Sequence, residues 1–272
     1  MIILYFADIF GRPGRRAVQA CLGDLKATYT PDFIIGNVEN LAGGRGVNRR
    51  TLEELNELGF CAYTSGNHIW DNKEVYQIIG PESKLIRPAN WSNPAGESCP
   101  GKGMIIVRRG NERLAIINVM GRVFMDAHDC PFHAVDRLIK EVPASTPILV
   151  DIHADATSEK YAMGWHLAGR VSAVVGSHSH VQTADERILP GGTAYITDVG
   201  MTGAFDSVIG LRPEGVIKKF VTKRPHPIQA AKENPGVCCV VIKLNPRGQA
   251  ESIERLRFTV KIDDLAQGGD LE

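Results

Sequence analysis

The stretch Val171–His180, VSAVVGSHSH, carries an apolar β-branched run to Gly176 and then places two histidines one residue apart, His178 and His180. Neutral imidazole is a ready metal ligand. In an extended backbone, side chains two apart share a face, so both rings are expected to face one spot beyond the strand's carboxyl end. An HxH pair alone is weak evidence. It gains weight from four other places: Asp8 after IILYFA, Glu39 and Asn40 after DFIIGNV, Asn67 and His68 after FCAYTSG, and His153 after PILVDI. Each of these apolar runs reads as a short buried strand. One such donor at a strand end is ordinary, whereas five strand ends in succession point to a shared site.

The donors are carboxylate, carboxamide and imidazole. That mixture suits Fe, Mn, Zn or Ni better than Ca, which prefers oxygen alone. Asp8, Glu39, Asn40, Asn67, His153, His178 and His180 are too many for one tetrahedral ion. They suit two ions sharing a carboxylate, and ions about 3.5–4 Å apart are built for in-line displacement at phosphorus. His68, beside Asn67, is the candidate general acid, because imidazole titrates near the pH where such an acid works best. Arg12 lies in the glycine-flanked turn after Asp8, at an expected helix start, where backbone N–H groups and a guanidinium fork could hold a phosphate. Arg45 is a weaker candidate of the same kind. His128, His133, His166 and His226 have no ligand neighbours at sensible spacing and read as structural.

The elements that must position these residues follow from periodicity and from breaking residues. Helices are expected over 15–28, 51–58, 71–79, 133–141 and 157–168. A hairpin is expected over 103–109 and 113–119, and strands near 185–189, 193–196, 237–244 and 250–261. Residues 80–102 read as loop, 198–212 as a glycine-bearing loop, and the last residues as a frayed tail. Strands alternate with helices as far as residue 180 and dominate afterwards. With no repeat, low-complexity tract or linker, residues 1–272 read as a single layered α/β domain. Ligands of such sheets sit beyond the carboxyl ends of the strands.

Composition narrows the function. Lysine plus arginine and aspartate plus glutamate each number 31, so no global field favours nucleic acid or an anionic membrane. The six cysteines form no CxxC pair, which argues against a disulfide framework or a zinc ribbon. No apolar run approaches the ~20 residues that span a bilayer, and the amino terminus lacks a basic leader region. A cytoplasmic protein with a small-molecule partner is expected, with self-assembly left open.

In their order, the motifs resemble those of the calcineurin-like metallophosphoesterases: D-x-H, GDxxD or a variant, GNH, a lone His, and GHxH. Here they read Asp8-Ile9-Phe10, Gly36-Asn37-Val38-Glu39-Asn40, Gly66-Asn67-His68, His153 and Gly176-Ser177-His178-Ser179-His180. Two departures stand out. Phe10 replaces the histidine of D-x-H, and Glu39 replaces the usual bridging aspartate, with Asn40 beside it. These departures, together with DIFGRPGRR and GNVENLAGGRG, are similar to the bacterial YmdB-like branch, which resembles 2′,3′-cyclic-nucleotide phosphodiesterases. The resemblance implies an α/β layered metallophosphoesterase-like fold, a central β-sandwich of two mixed sheets flanked by helices. It implies two metal ions per chain, iron first and manganese as the alternative. One would be held by Asp8, Glu39, Asn40 and His180, the other by Glu39, Asn67, His153 and His178. The expected activity is metal-activated hydrolysis of 2′,3′-cyclic nucleotides or similar small phosphodiesters, with His68 protonating the leaving oxygen. Two competing readings are a phosphomonoesterase with the same site and a regulatory or scaffold protein that retains the metals with little catalysis. Phe10 favours the scaffold reading, and the presence of His68 opposes it.

Overall fold

A computed structural model of the chain describes residues 1–80, 83–92 and 99–262. The tail expected at the carboxyl end lies largely outside the described residues, as does part of the 80–102 loop.

Two mixed six-stranded sheets face each other. The first runs in the order β10 (Gly203–Ala204), β11 (Pro235–Leu244), β1 (Ile2–Phe6), β2 (Phe33–Asn37), β3 (Ala62–Thr64), with β12 (Ala250–Thr259) pairing with β11. Strands β1, β2 and β3 are parallel, and β11 returns antiparallel to β1. The second runs β4 (Met104–Arg109), β5 (Glu112–Met120), β6 (Ile148–His153), β7 (Ala173–Ser177), β9 (Thr193–Ile196), β8 (Arg187–Leu189). Here β5, β6, β7 and β9 are parallel, with antiparallel hairpins at both edges.

Period-two alternation in β1 sets the layering. Ile3 and Tyr5 point between the sheets, into a core shared with Phe33, Ile116, Leu149, Val175 and Val240. Leu4 and Phe6 point outward, onto α1 (Gly11–Tyr29) and α2 (Arg49–Glu57). On the far side of the second sheet, Ile117, Val150, Ile152 and Val174 meet α4 (Pro131–Ile139) and α5 (Thr157–Leu167). The parallel strands are therefore apolar on both faces, which is why their sequences read as unbroken runs.

Helix α1 buries Ala17, Val18, Cys21, Leu22 and Leu25 at helical spacing. In α2, the N-cap Asn48 accepts from the Thr51 N–H at 2.9 Å. The helix expected over 71–79 shortens to α3 (Val75–Ile78), because a turn from Gly66 to Asp71 is bonded within itself. A helix with no counterpart in the sequence reading, α6 (Pro213–Thr222), follows the 198–212 loop. Its signal was Pro213 at the first helical position, where a missing N–H costs nothing.

Helix α1 approaches the 198–204 segment so closely that a Cβ on Gly14 would lie 2.3 Å from the Thr202 carbonyl oxygen. Gly14→Ala is therefore expected to lower stability by about 1–3 kcal/mol, read as a lower urea midpoint.

Candidate metal centre

The five donor-bearing segments leave the carboxyl ends of β1, β2, β3, β6 and β7, three from one sheet and two from the other, and meet where the two rows of strand ends face each other. Ligand atoms of Glu39, His153 and His178 all lie within 4.8 Å of one another, and so do those of Asp8, Glu39 and His180. Asn67 Oδ1 sits 2.9 Å from His153 Nε2. Asn40 Nδ2 sits 3.2 Å from His180 Nε2. All seven sequence candidates thus come to one cluster in which Glu39 is common to both groups.

Glu39 faces both ways. Its Oε1 accepts from Asn40 Nδ2 at 3.0 Å, while its Oε2 lies 3.2 Å from His153 Nε2 and accepts from the His68 N–H at 3.0 Å. Burial alone would raise this carboxyl, but the charge and hydrogen bond of His153 outweigh it and hold the carboxyl below the usual range. The same pairing overcomes the burial that would lower the His153 imidazole and pushes it up to about 9. Burial, reinforced by the positive His153, pushes the His178 ring down to about 3. Burial raises Asp8 to about 7, against the pull of His180 and His153.

A cation fits this donor set better than hydrogen bonds do. His153 Nε2 is approached by Asn67 Oδ1, by Glu39 Oε2 and, at 3.0 Å, by His178 Nδ1. One ring nitrogen has either one proton or one lone pair to offer and cannot satisfy three partners at once. Asp8 Oδ1 is buried with no hydrogen-bond partner among the described residues. A Cβ on Gly66 would fall 2.2 Å from His153 Nε2 and 2.4 Å from Glu39 Oε2, so only glycine leaves this space open. A half-turn of the Asn40 carboxamide would present Oδ1 to the same spot, since its two ends are near-isosteric.

His178 and His180 do not share one face, as an extended backbone would have them do. Strand β7 ends at Ser177, and His178 and His180 take left-handed backbone with φ of 99° and 62°. Their rings go to different donor groups. The turn is set by two carboxylates. Asp8 Oδ2 accepts from the His178 N–H at 2.9 Å, and Asp198 Oδ2 accepts from the Ser179 N–H at 3.1 Å and its hydroxyl at 2.7 Å. Asp198 is itself paired at 2.6 Å with Lys160, both side chains 1% exposed.

Several supporting residues escaped the sequence reading. The Ser177 hydroxyl, 2.9 Å from His153 Nδ1, donates to Asp151 Oδ1 at 2.7 Å, which leaves His153 Nε2 to face the cluster. His180 Nδ1 donates to the Ile209 carbonyl at 3.0 Å with the same effect. Asp71 lies 2.8 Å from His68 Nδ1. Asp151, polar within an apolar strand, carries a sequence signal of its role. Lys160 carries one too, a charge in register with the buried Met163, Gly164 and Leu167 of its helix. Arg12 occupies the first turn of α1, half-buried, and the N–H of its neighbour Gly11 donates to the Asn40 carbonyl at 2.9 Å. Arg45 is exposed.

The model of the YmdB-like protein family matches residues 4–256. The chain belongs to the YmdB-like family. The 2′,3′-cyclic-nucleotide 2′-phosphodiesterase of Bacillus subtilis (strain 168) is 46% identical over 258 residues, 94% of this chain and 96% of that protein. A crystal structure of a novel phosphatase from Mycoplasma pneumoniae superposes with a TM-score of 0.90 at 30% identity, covering 95% of this chain and 93% of that one. A hypothetical protein from Thermus thermophilus superposes with a TM-score of 0.88 at 42% identity, covering 95% and 99%. With these YmdB-like relatives the expected class, a metal-dependent phosphoesterase, holds, and so does the expected two-sheet architecture. Among the described residues no helix is long and apolar enough to cross a membrane.

Metal must displace the protons that Asp8 and His153 hold when these groups titrate near about 7 and about 9. Metal affinity is therefore expected to rise with pH across this range, with protons released on loading. Calorimetric titration with Mn²⁺ in buffers of different ionisation enthalpy checks both, and an affinity flat from about pH 6 to about pH 9 would contradict the ligand set.

Proposed function

We propose that this chain is a dinuclear-metal phosphodiesterase that hydrolyses 2′,3′-cyclic nucleotides or similar small phosphodiesters. The observation that carries the reading is Glu39, one buried carboxylate common to both donor groups, with Oε1 toward Asn40 and Oε2 toward His153. Asp8, Glu39, Asn40 and His180 would hold one ion, and Glu39, Asn67, His153 and His178 the other. Iron or manganese suits this mixed nitrogen and oxygen set. Bound ions would supply a water acidified toward neutral pH and positive charge against the phosphoryl oxygens.

The remaining chemistry belongs to the chain. Water adds to phosphorus and gives up a proton to solvent, the bond from phosphorus to a ribose oxygen breaks, and that oxygen takes a proton from His68, which regains one from solvent. The His68 backbone is fixed by its N–H bond to Glu39, and its ring by Asp71 at Nδ1. Nε2 is then the nitrogen that exchanges a proton. The phosphodiesterase named among the relatives supports this substrate class.

Phe10 leaves the ligand set beside it in place. It is 3% exposed and meets the His180 ring edge-on at 5.8 Å. Its ring packs where Cβ atoms on Gly44 and Gly210 would clash. Phe10 thus buttresses a ligand where the wider superfamily places one.

Metal analysis tests the shared carboxylate: Glu39→Ala is expected to lose both ions and His180→Ala only one. Loss of a single ion from Glu39→Ala would reject the bridging role. His68→Ala is expected to cut turnover of 2′,3′-cyclic AMP by about 10²–10⁴-fold with metal content unchanged. Loss of metal would make His68 a ligand instead. Faster turnover of p-nitrophenyl phosphate than of bis-(p-nitrophenyl) phosphate would favour the phosphomonoesterase.

A further inference from the structure

We infer that the loop between β5 and α4, with Phe124 at its tip, forms a stacking platform for the nucleobase of the substrate. The inference rests on the phosphodiesterase reading and adds a site for the part of the substrate that does not react.

The direction in which the nucleoside must lie follows from His68. The oxygen it protonates belongs to the ribose, so ribose and base extend on the His68 side of the cluster. That side is aromatic. Trp70 lies in the same bonded turn as His68. Its ring stacks on Tyr76 at 5.1 Å and meets Trp91 edge-on at 5.8 Å, and Trp91 in turn contacts His128 at 4.7 Å. The contacts lead from the turn bearing the proposed acid directly to the β5–α4 loop.

That loop is tied to the cluster and to itself. The Gly121 N–H donates to the carbonyl of His153 at 2.9 Å. Asn90, 1% exposed, binds both ends: its Nδ2 donates to the carbonyls of Met120 at 2.7 Å and Asp129 at 2.9 Å, and its Oδ1 accepts from the Met120 N–H at 2.8 Å. The Arg122 and Val123 N–H groups donate to the buried carboxylate of Glu159. At the tip of this anchored loop, Phe124 is 86% exposed and holds left-handed backbone with φ of 62°. It lies three residues beyond Gly121, a reach of at most about 10 Å. A phenyl ring left in water costs free energy that burial against a base would recover. Stacking accepts any base, since every base presents a π face.

The test compares 2′,3′-cyclic AMP with a base-free ester, methyl ribofuranoside 2′,3′-cyclic phosphate, on the metal-loaded enzyme. Wild type is expected to show the lower KM for the nucleotide. Phe124→Ala should raise that KM about tenfold, the size of one base–aromatic stack, leave kcat unchanged and leave the base-free ester untouched. Phe124→Trp should restore the nucleotide KM. Equal losses on both esters, no loss on the nucleotide, or an effect confined to oligomer size on gel filtration would overturn the inference. If wild type hydrolyses both esters with equal KM, the phosphodiesterase reading stands and the platform falls. If it hydrolyses neither, both fall.

Discussion

The carboxylate of Asp151, wholly buried between the two sheets, is the constraint on which the site depends. Its Oδ2 accepts from the Tyr5 hydroxyl at 2.6 Å, from the Thr64 hydroxyl and from Asn37 Nδ2 at 3.3 Å, and its Oδ1 accepts from Ser177 at 2.7 Å. These partners stand on β1, β3, β2 and β7. One side chain on β6 therefore fixes the distance between the two rows of strand ends that carry the donors. Burial raises this carboxyl above its ordinary value, opposed by the hydroxyls that donate to it. A buried carboxylate is costly unless it is fully hydrogen-bonded. The sheets cannot separate at this end without leaving it unpaired.

Outward from that hub, the cluster is assembled by conformations the backbone would not choose alone. Asp8, His178 and His180 all have positive φ, which costs an L-residue free energy and persists only where the surroundings over-determine it. The surroundings are the Asp8 bond to the His178 N–H and the Lys160–Asp198 pair beneath Ser179. Breaking a buried ion pair by removing one partner is expensive, so the two histidines hang from a rigid support. Glu39 and His153 complete the arrangement as a buried pair whose opposite charges hold each other ionised.

Phe10 shows how an altered motif keeps its geometry. The phenyl ring fills a hollow walled by glycines and sets the His180 ring at 79° to its own plane, while Asn40 occupies space beside His180 Nε2. The turn after the first strand thus carries a packing residue, and the turn after the second carries Asn40 beside the ring it packs against.

The sequence by itself determined that these side chains would gather at one end of the strands. Donors at the ends of apolar runs were legible because parallel strands buried on both faces leave an unbroken hydrophobic signature, and a polar residue just past it has one usual place to be. Layering followed for the same reason. What only the tertiary structure decided was which donor serves which group, how the HSH turn parts its rings, and which buried charges support them. These rest on contacts between segments far apart in the chain. Asp8 reaches His178 across 170 residues and Tyr5 reaches Asp151 across 146. Local periodicity carries no record of such pairings: it places Lys160 on the inward face of its helix with Met163 and Leu167, but not opposite Asp198.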